Sequence, residues 1–187
     1  MNELILGVLW LIYYAIHSLM ASRGFKRYLR VSIPLFYPYY RLVYSTFAGI
    51  NLVLLIWLHL IIPSSTFIYM PYLSFIGYGL CLFSAIVLVA ALRSYGADFL
   101  VREINNKSLV RTGLNAYVRH PLYSGILLFC LGLVMVSPTW KNLTFAAVTA
   151  IYLFVGTKLE EQKLLKDFGD EYLEYQNEVK MLIPWIF

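Results

Sequence analysis

The residues best suited to chemistry lie in the stretch Arg119-His120-Pro121-Leu122-Tyr123-Ser124-Gly125, which opens a strongly apolar run. The acidic pair Glu160-Glu161 follows the end of that run. A cation, an imidazole, a phenol and two carboxylates at the edges of apolar segments are costly to desolvate, and such residues usually have a function. We therefore expect a binding or catalytic site where these segments meet.

Membrane helices must hold these reactive residues in place. The chain has 187 residues, of which 60% are hydrophobic and only 13% are charged, whereas about a quarter of a soluble domain is charged. The composition predicts an all-α integral membrane bundle that forms one compact domain. Cys81 and Cys130 both fall in apolar runs, so we expect buried thiols rather than a disulfide.

Apolar runs long enough to cross a bilayer, about 20 residues each, cover residues 3–21, 42–62 and 72–92. A fourth run, residues 122–157, is interrupted at residues 137–142 by Ser-Pro-Thr-Trp-Lys-Asn. The interruption predicts a tight hairpin between two further helices, each short at about 16 residues. The expected total is about five transmembrane helices.

The basic residues predict an orientation. Of 15 Lys and Arg residues, 14 fall in the segments between spans 1 and 2, between spans 3 and 4, and after span 5, and only Lys141 falls elsewhere. Because Lys and Arg crowd cytoplasmic loops, we expect the N-terminus outside and the C-terminus inside. A multi-pass protein of a prokaryotic inner (cell) membrane is the expectation.

The segment after span 5 has the pattern of two short amphipathic helices. Phe168-Gly169 is a plausible helix end, because glycine suits the left-handed position past a C-terminus. Asp170 is a candidate N-cap for a second helix that runs to about Val179. We expect one domain, 1–187, with a three-span part at 1–92 and a site-forming part at 93–187.

The predicted hairpin places the reactive residues together at the cytosolic mouth. Arg119, His120 and Tyr123 begin span 4, and Glu160 and Glu161 leave span 5. His17 and Ser18 lie near the cytosolic end of span 1. Such a mouth could receive one water-soluble reactant from the cytosol and one lipophilic reactant from the bilayer.

These residues resemble a known family. The stretch Leu109-Val110-Arg111-Thr112-Gly113-Leu114-Asn115-Ala116-Tyr117-Val118, continuing through Arg119-His120-Pro121 to Gly125, looks like the core of the isoprenylcysteine carboxyl methyltransferase and phospholipid methyltransferase superfamily. A second match follows in the tail, at Glu160-Glu161, residues 168–172, Tyr175, Val179 and Pro184. The resemblance covers roughly residue 92 to the end.

The resemblance implies methyl transfer from S-adenosyl-L-methionine to a lipophilic acceptor, by S-, O- or N-methylation. It also implies that the donor binds at the cytosolic ends of the last spans and the tail. The residues that it assigns to the donor are Arg119, His120, Pro121, Tyr123, Gly125, Glu160, Glu161, Tyr172 and Tyr175. Carboxylates can meet the ammonium and hydroxyls of this donor, and aromatic faces suit a sulfonium cation.

The acceptor is less clearly indicated. His17-Ser18-Leu19-Met20-Ala21-Ser22 resembles the N-terminal motif of small bacterial thiol methyltransferases, whereas prenylcysteine enzymes carry an Arg where this chain has Glu178. A small thiol, or a lipid-like amine or carboxylate, is therefore the expected acceptor. A thiol would need a base, for which His120, His17 and Glu161 are the candidates.

Other interpretations stay open. A membrane reductase of the sterol-reductase type could use Arg93, Arg102 and Arg111 for the 2′-phosphate of NADPH, and a non-enzymatic accessory protein needs no site. Arg119 could anchor a helix end to lipid headgroups, and Tyr172 and Tyr175 could form an aromatic belt. No metal is expected, because no His, Cys or carboxylate cluster has ligand spacing, and nothing indicates a nucleic-acid partner.

Overall fold

The fold was examined in a computed structural model, which describes residues 2–68, 70–95 and 109–186. The described residues form seven α-helices and two short 3₁₀ segments, residues 37–39 and 113–116. The α-helices are α1 (Asn2–Ala21), α2 (Arg23–Ser32), α3 (Tyr40–Ile61), α4 (Pro71–Tyr95), α5 (Pro121–Val136), α6 (Trp140–Phe168) and α7 (Asp170–Glu178). Arg102, considered above for NADPH, lies outside the described residues.

The all-α membrane bundle expected from composition is confirmed. Four segments are long and apolar enough to cross a membrane: residues 2–21, 37–61, 71–94 and 140–168. The apolar helix α5 is shorter, at 16 residues, as the interrupted run predicted. Helices α1, α3 and α4 begin and end within about three residues of the predicted spans, because long apolar runs fix such helices.

Helices α4 and α5 approach closely through small residues. A Cβ at Gly77 would lie 2.6 Å from the backbone nitrogen of Val136, and one at Gly132 would lie 2.7 Å from Sγ of Cys81. Glycine at such crossings lets two helix backbones pack side by side in a membrane. This contact fixes α5, whose first residues form the predicted site. Cys81 and Cys130 are free thiols.

Polar contacts join the chain segments at the two ends of the bundle. At one end, Ser64 donates to Glu3 at 3.0 Å, and Lys141 donates to the carbonyls of His59 and Ile62 at 2.8 Å each. At the other end, Arg23 of the basic helix α2 pairs with Asp167 of α6. The basic segment after α1 and the tail therefore lie at the same end, as the charge pattern predicted.

Two predictions about the tail are wrong in detail. The last membrane helix does not stop near residue 157, because α6 continues without a break to Phe168 and includes the first of the two expected tail helices. Gly169 does end it, with a positive φ of 56°. Asp170 is the first residue of α7 rather than its cap, and no side chain caps that helix.

Candidate active site

The C-terminal segment holds the start of α5 in place. Backbone nitrogens of Arg119 and His120 donate to the carbonyls of Lys180 and Met181, at 2.8 and 3.1 Å. The hydroxyl of Ser124 donates to the carbonyl of Leu182 at 2.6 Å. The tail thus fixes the backbone of the residues that the sequence marks as reactive, which explains why the two motifs occur together.

Arg119 and Glu161 form a buried ion pair. Nε and Nη2 of Arg119 lie 2.7 and 2.6 Å from the same oxygen, Oε1 of Glu161, and the two side chains are 10% and 9% exposed. Arg119 also donates to the carbonyls of Gln176 and Val179, and Gln176 donates to Glu161 at 3.2 Å. This network ties α5, α6 and α7 together, so Arg119 is not a lipid-headgroup anchor.

The neighbouring carboxylate, Glu160, has a different environment. Its side chain is 45% exposed and accepts a hydrogen bond of 2.9 Å from the hydroxyl of Tyr123. Consecutive residues on a helix point in directions about 100° apart, so the two glutamates have different surroundings. Glu161 is occupied by protein partners, whereas Glu160 remains accessible to a ligand.

His120 lies between these carboxylates. Its ring stacks on the ring of Tyr123, with centroids 5.5 Å apart and planes within 5°. Nδ1 is 3.7 Å from Oε2 of Glu160, and Nε2 is 3.4 Å from Oε1 of Glu161. Nε2 is buried, and its contact with the Glu161 carboxylate is not aligned as a hydrogen bond.

A small polar cavity of about 140 Å³ lies beside this cluster. We call it the polar cavity; its lining includes Asn115, Arg119, His120, Glu160, Tyr172 and Tyr175. Burial and the nearby Glu161 carboxylate raise the pKa of Tyr172, so its phenol stays neutral at physiological pH. Tyr172 and Tyr175 are 0% and 2% exposed, which rules out an aromatic belt.

A larger cavity of about 550 Å³ lies among α1, α3, α5 and α6. We call it the apolar cavity; its described lining contains no Asp, Glu, Lys or Arg and consists of Trp10, Tyr13, Tyr14, His17, Leu52, Ile56, His59, Leu60, Tyr123, Ile126, Phe129, Leu133, Phe145, Tyr152, Leu153 and Gly156. Tyr123 lines this cavity while its hydroxyl bonds to Glu160, which lines the polar cavity. The phenol of Tyr123 therefore stands between the two cavities.

Some predicted site residues lie away from the polar cluster. Gly125 faces α4: its carbonyl accepts a hydrogen bond of 2.8 Å from Ser84, and a Cβ there would lie 2.8 Å from Leu88. Pro121 is buried as the first residue of α5. His17 lines the apolar cavity, where its Nε2 is 3.0 Å from the hydroxyl of Tyr44.

Two polar residues of the site escaped the sequence argument. Asn115 is buried, donates to the carbonyl of Arg119 at 3.2 Å, and leaves Oδ1 without a partner among the described residues. It lies within the first motif, so its position was a usable signal. Gln176 contacts Glu161 from α7, four residues after Tyr172 and hence on the same helix face.

Across residues 2–68, 70–95 and 109–186, no three His, Cys, Asp or Glu side chains group as a metal site would require. The absence of a metal stays an expectation. Arg111, considered above for a nucleotide phosphate, instead lies 3.6 and 3.9 Å from Glu174 and Glu178. Its guanidinium also lies 5.4 Å from the centre of the Tyr175 ring, so its charge is already matched by the protein.

Comparison with known proteins identifies the family. The family model described as phospholipid methyltransferase matches residues 72–171, which include the start of α5 and both glutamates. The chain belongs to the phospholipid methyltransferase family. This membership makes the protein an integral membrane methyltransferase, as the paired motifs implied, and does not favour the reductase or accessory-protein interpretations.

Relatives within this group carry two kinds of name. Methanethiol S-methyltransferase 1 of Bradyrhizobium diazoefficiens is 33% identical, over 98% of this chain and 68% of the relative. A methanethiol S-methyltransferase of Crocosphaera subtropica is 32% identical, over 91% of this chain and 70% of the relative. Protein-S-isoprenylcysteine O-methyltransferase of Schizosaccharomyces pombe is 36% identical, but over only 46% of this chain and 38% of the relative.

Proposed function

We propose that this membrane methyltransferase uses S-adenosyl-L-methionine to methylate a lipophilic thiol, with its active site at the cytosolic end of the bundle. The observation that carries the proposal is the position of Tyr123. It separates a polar cavity that offers a carboxylate from an apolar cavity that offers none. A charged donor needs a polar cavity and a lipophilic acceptor needs an apolar cavity, and the two cavities must adjoin where the methyl group is transferred.

The polar cavity, at about 140 Å³, is too small to enclose the whole donor, but its groups suit the charged amino-acid part and the ribose. Glu160 is an accessible carboxylate for an ammonium or a ribose hydroxyl, and Oδ1 of Asn115 is a buried atom that lacks a partner in the described part of the chain. Tyr172 and Tyr175 add aromatic surface, which attracts a cation. When bound, S-adenosyl-L-methionine supplies a methyl group on a positively charged sulfur, and positioning then contributes much of the rate.

Glu161 and Arg119 have a positioning role in this proposal. Their mutual ion pair and their contacts to α7 fix the backbone and side chains around His120. Two contacts orient the Tyr123 side chain: its hydrogen bond to Glu160 and its stacking on His120. Pro121 fixes the first turn of α5, and Gly125 keeps α5 against α4.

A thiol acceptor is supported by the extent of the similarity. The relatives named methanethiol S-methyltransferase match over 91 to 98% of this chain in the two cases above, whereas the isoprenylcysteine O-methyltransferase matches over only 46%. Of the three candidate bases, only His17 lines the apolar cavity. We therefore assign to its imidazole the removal of the thiol proton, which leaves a thiolate sulfur to receive the methyl group.

The proposed orientation is supported by the charges at the two ends of the bundle. The end that carries α2 and α7 also carries the start of α5, and α2 alone contributes Arg23, Lys26, Arg27 and Arg30. Because positive residues remain on the cytoplasmic side, this end faces the cytosol. The end with Glu3, Ser64 and Lys141 then faces outward, in a prokaryotic inner (cell) membrane.

Calorimetry on the detergent-purified protein tests the donor. S-adenosylhomocysteine, the product of the donor, should bind with one site per chain, and NADPH should not bind. Absence of S-adenosylhomocysteine binding by folded protein would overturn the proposal. Transfer of radiolabelled methyl groups to alkanethiols, but not to phospholipids or a prenylcysteine analogue, would establish the acceptor class.

A further inference from the structure

The apolar cavity is much longer than a methanethiol molecule requires. Its lining residues on α5 run from Tyr123 to Leu133, and those on α6 run from Phe145 to Gly156. At a rise of 1.5 Å per residue, each wall is about 15 Å long. A cavity of about 550 Å³ with this length fits an elongated acceptor.

The lining also sets the charge of the acceptor. Among the described residues that border the cavity, none is acidic and none is Lys or Arg. A carboxylate or an ammonium in such surroundings would be desolvated without an ion pair, at a cost of several kcal/mol. The occupant is therefore neutral over the part that enters the cavity.

Two residues at the far end of the cavity carry buried polar atoms that lack partners in the described part of the chain. Trp10 and His59 both line it, with ring centroids 6.4 Å apart. Nε1 of Trp10 and Nδ1 of His59 are buried without a hydrogen-bond partner among the described residues. Buried polar atoms normally have a partner, so an unsatisfied pair beside a cavity points to a ligand group.

The chemistry of the pair specifies that group. Asn142 donates its amide N–H to the carbonyl of Ser137 at 2.6 Å, so its oxygen is the atom that faces Nε2 of His59, at 2.8 Å. Nε2 of His59 must then carry the hydrogen, which leaves Nδ1 as an acceptor. Since the indole N–H of Trp10 is a donor, the pair matches a hydroxyl, which both donates and accepts.

We propose that the apolar cavity binds an elongated, neutral thiol whose sulfur lies at the Tyr123 and His17 end and whose far end carries a hydroxyl or similar group beside Trp10 and His59. This inference rests on the proposed thiol methylation. It differs from methylation of methanethiol, because most of the binding comes from the chain and its far end rather than from the reacting sulfur.

The test measures kcat/KM for methanethiol, octanethiol, mercaptooctanol and mercaptooctanoate, with radiolabelled S-adenosyl-L-methionine and the full-length protein in detergent. Octanethiol should exceed methanethiol by at least about tenfold, because each buried methylene adds binding energy. Mercaptooctanoate should be the poorest of the three long thiols. Equal values for methanethiol and octanethiol would overturn the proposal.

The hydroxyl contact is tested by variants. Trp10→Phe keeps an aromatic ring and removes the N–H, so the mercaptooctanol-to-octanethiol ratio of kcat/KM should fall about fivefold, the worth of one net hydrogen bond. Trp140→Phe is the matched control, because Trp140 is 49% exposed and lies outside the cavity lining. The ratio for each variant is compared with the ratio for the wild type, so that the partition of each thiol into detergent cancels.

His59→Gln is the second variant, and it tests the hydroxyl contact if Trp10→Phe does not fold. Glutamine can keep the donor toward Asn142 while it removes the Nδ1 acceptor, so the same ratio should fall. An unchanged ratio in the folded variants would remove the far-end contact from the proposal. Failure to methylate any thiol, while S-adenosylhomocysteine still binds, would instead overturn the proposed acceptor class.

Discussion

The two cavities on either side of Tyr123 are built in opposite ways. The polar cavity is small, lies where the tail meets α5 and α6, and is lined by one partner of a buried ion pair, Arg119, and by an accessible carboxylate. The apolar cavity is about four times larger and lies among four helices that belong to both halves of the chain. If the donor binds in the first cavity and the acceptor in the second, variants in one cavity should leave binding in the other unchanged.

The largest expected effect separates chemistry from donor binding. If His17 accepts the thiol proton, His17→Gln should lower kcat for an alkanethiol by about 100-fold or more, the usual contribution of a general base. Affinity for S-adenosylhomocysteine, measured by calorimetry, should not change. The lost rate should partly return as pH rises toward the thiol pKa, because the thiolate then forms without a base.

A rate that stays low at every pH would assign His17 a structural role through its contact with Tyr44. Unchanged kcat at neutral pH would remove it from the mechanism and return the choice of base to His120.

The second effect concerns the framework of the polar cavity. Glu161→Ala leaves the Arg119 guanidinium buried without its partner, which should lower the free energy of unfolding by about 3–5 kcal/mol. Thermal unfolding and trypsin digestion in detergent measure the loss. The matched control is Asp167→Ala, which breaks the exposed pair with Arg23 and should cost less than about 1 kcal/mol. Equal stability of the two variants would contradict a positioning role for Glu161.

The third effect isolates the donor contact. Glu160→Gln removes the accessible charge but keeps the shape of the side chain, so affinity for S-adenosylhomocysteine should fall about tenfold or more, as for a hydrogen bond to a charged group. The unfolding temperature should stay near that of the wild type. Glu174→Gln, on the exposed side of α7, is the control. Wild-type affinity in Glu160→Gln would place the donor elsewhere.

The smallest effect concerns the boundary itself. Tyr123→Phe keeps the ring stacked on His120 and removes the hydroxyl that donates to Glu160, so kcat/KM should fall about fivefold. Tyr117→Phe is a nearby control, since Tyr117 is 61% exposed. A loss as large as that of Glu160→Gln would mean that the hydroxyl of Tyr123 contacts a reactant directly.

The sequence predicts the helices well where a long apolar run decides them. The hairpin between α5 and α6 also follows from sequence, because Ser-Pro-Thr interrupts an otherwise continuous run. The end of α6 does not follow, since charged residues from Lys158 onward end the apolar pattern but not the helix. Helix α2 was missed for a similar reason: its basic residues were counted as a loop.

The candidate site is predictable in membership but not in roles. The motif and hairpin bring Arg119, His120 and Tyr123 to the two glutamates. Which glutamate is held by protein partners depends on where α7 packs, and that is a tertiary contact without a local signal. The apolar cavity also depends entirely on tertiary contacts, because Trp10 and His59 become neighbours only when α1 and α3 pack together.

The most direct test of the two-cavity account fills the apolar cavity with a side chain and measures both thiol methylation and S-adenosylhomocysteine binding. Gly156 lines that cavity, and a Cβ there meets no atom within 4 Å, so Gly156→Phe adds a ring without a clash at its base. The account predicts at least about a tenfold loss of kcat/KM for octanethiol with unchanged affinity for S-adenosylhomocysteine, whereas the exposed control Gly49→Phe retains both. Full thiol methylation by a folded Gly156→Phe protein, or a parallel loss of S-adenosylhomocysteine binding, would contradict it.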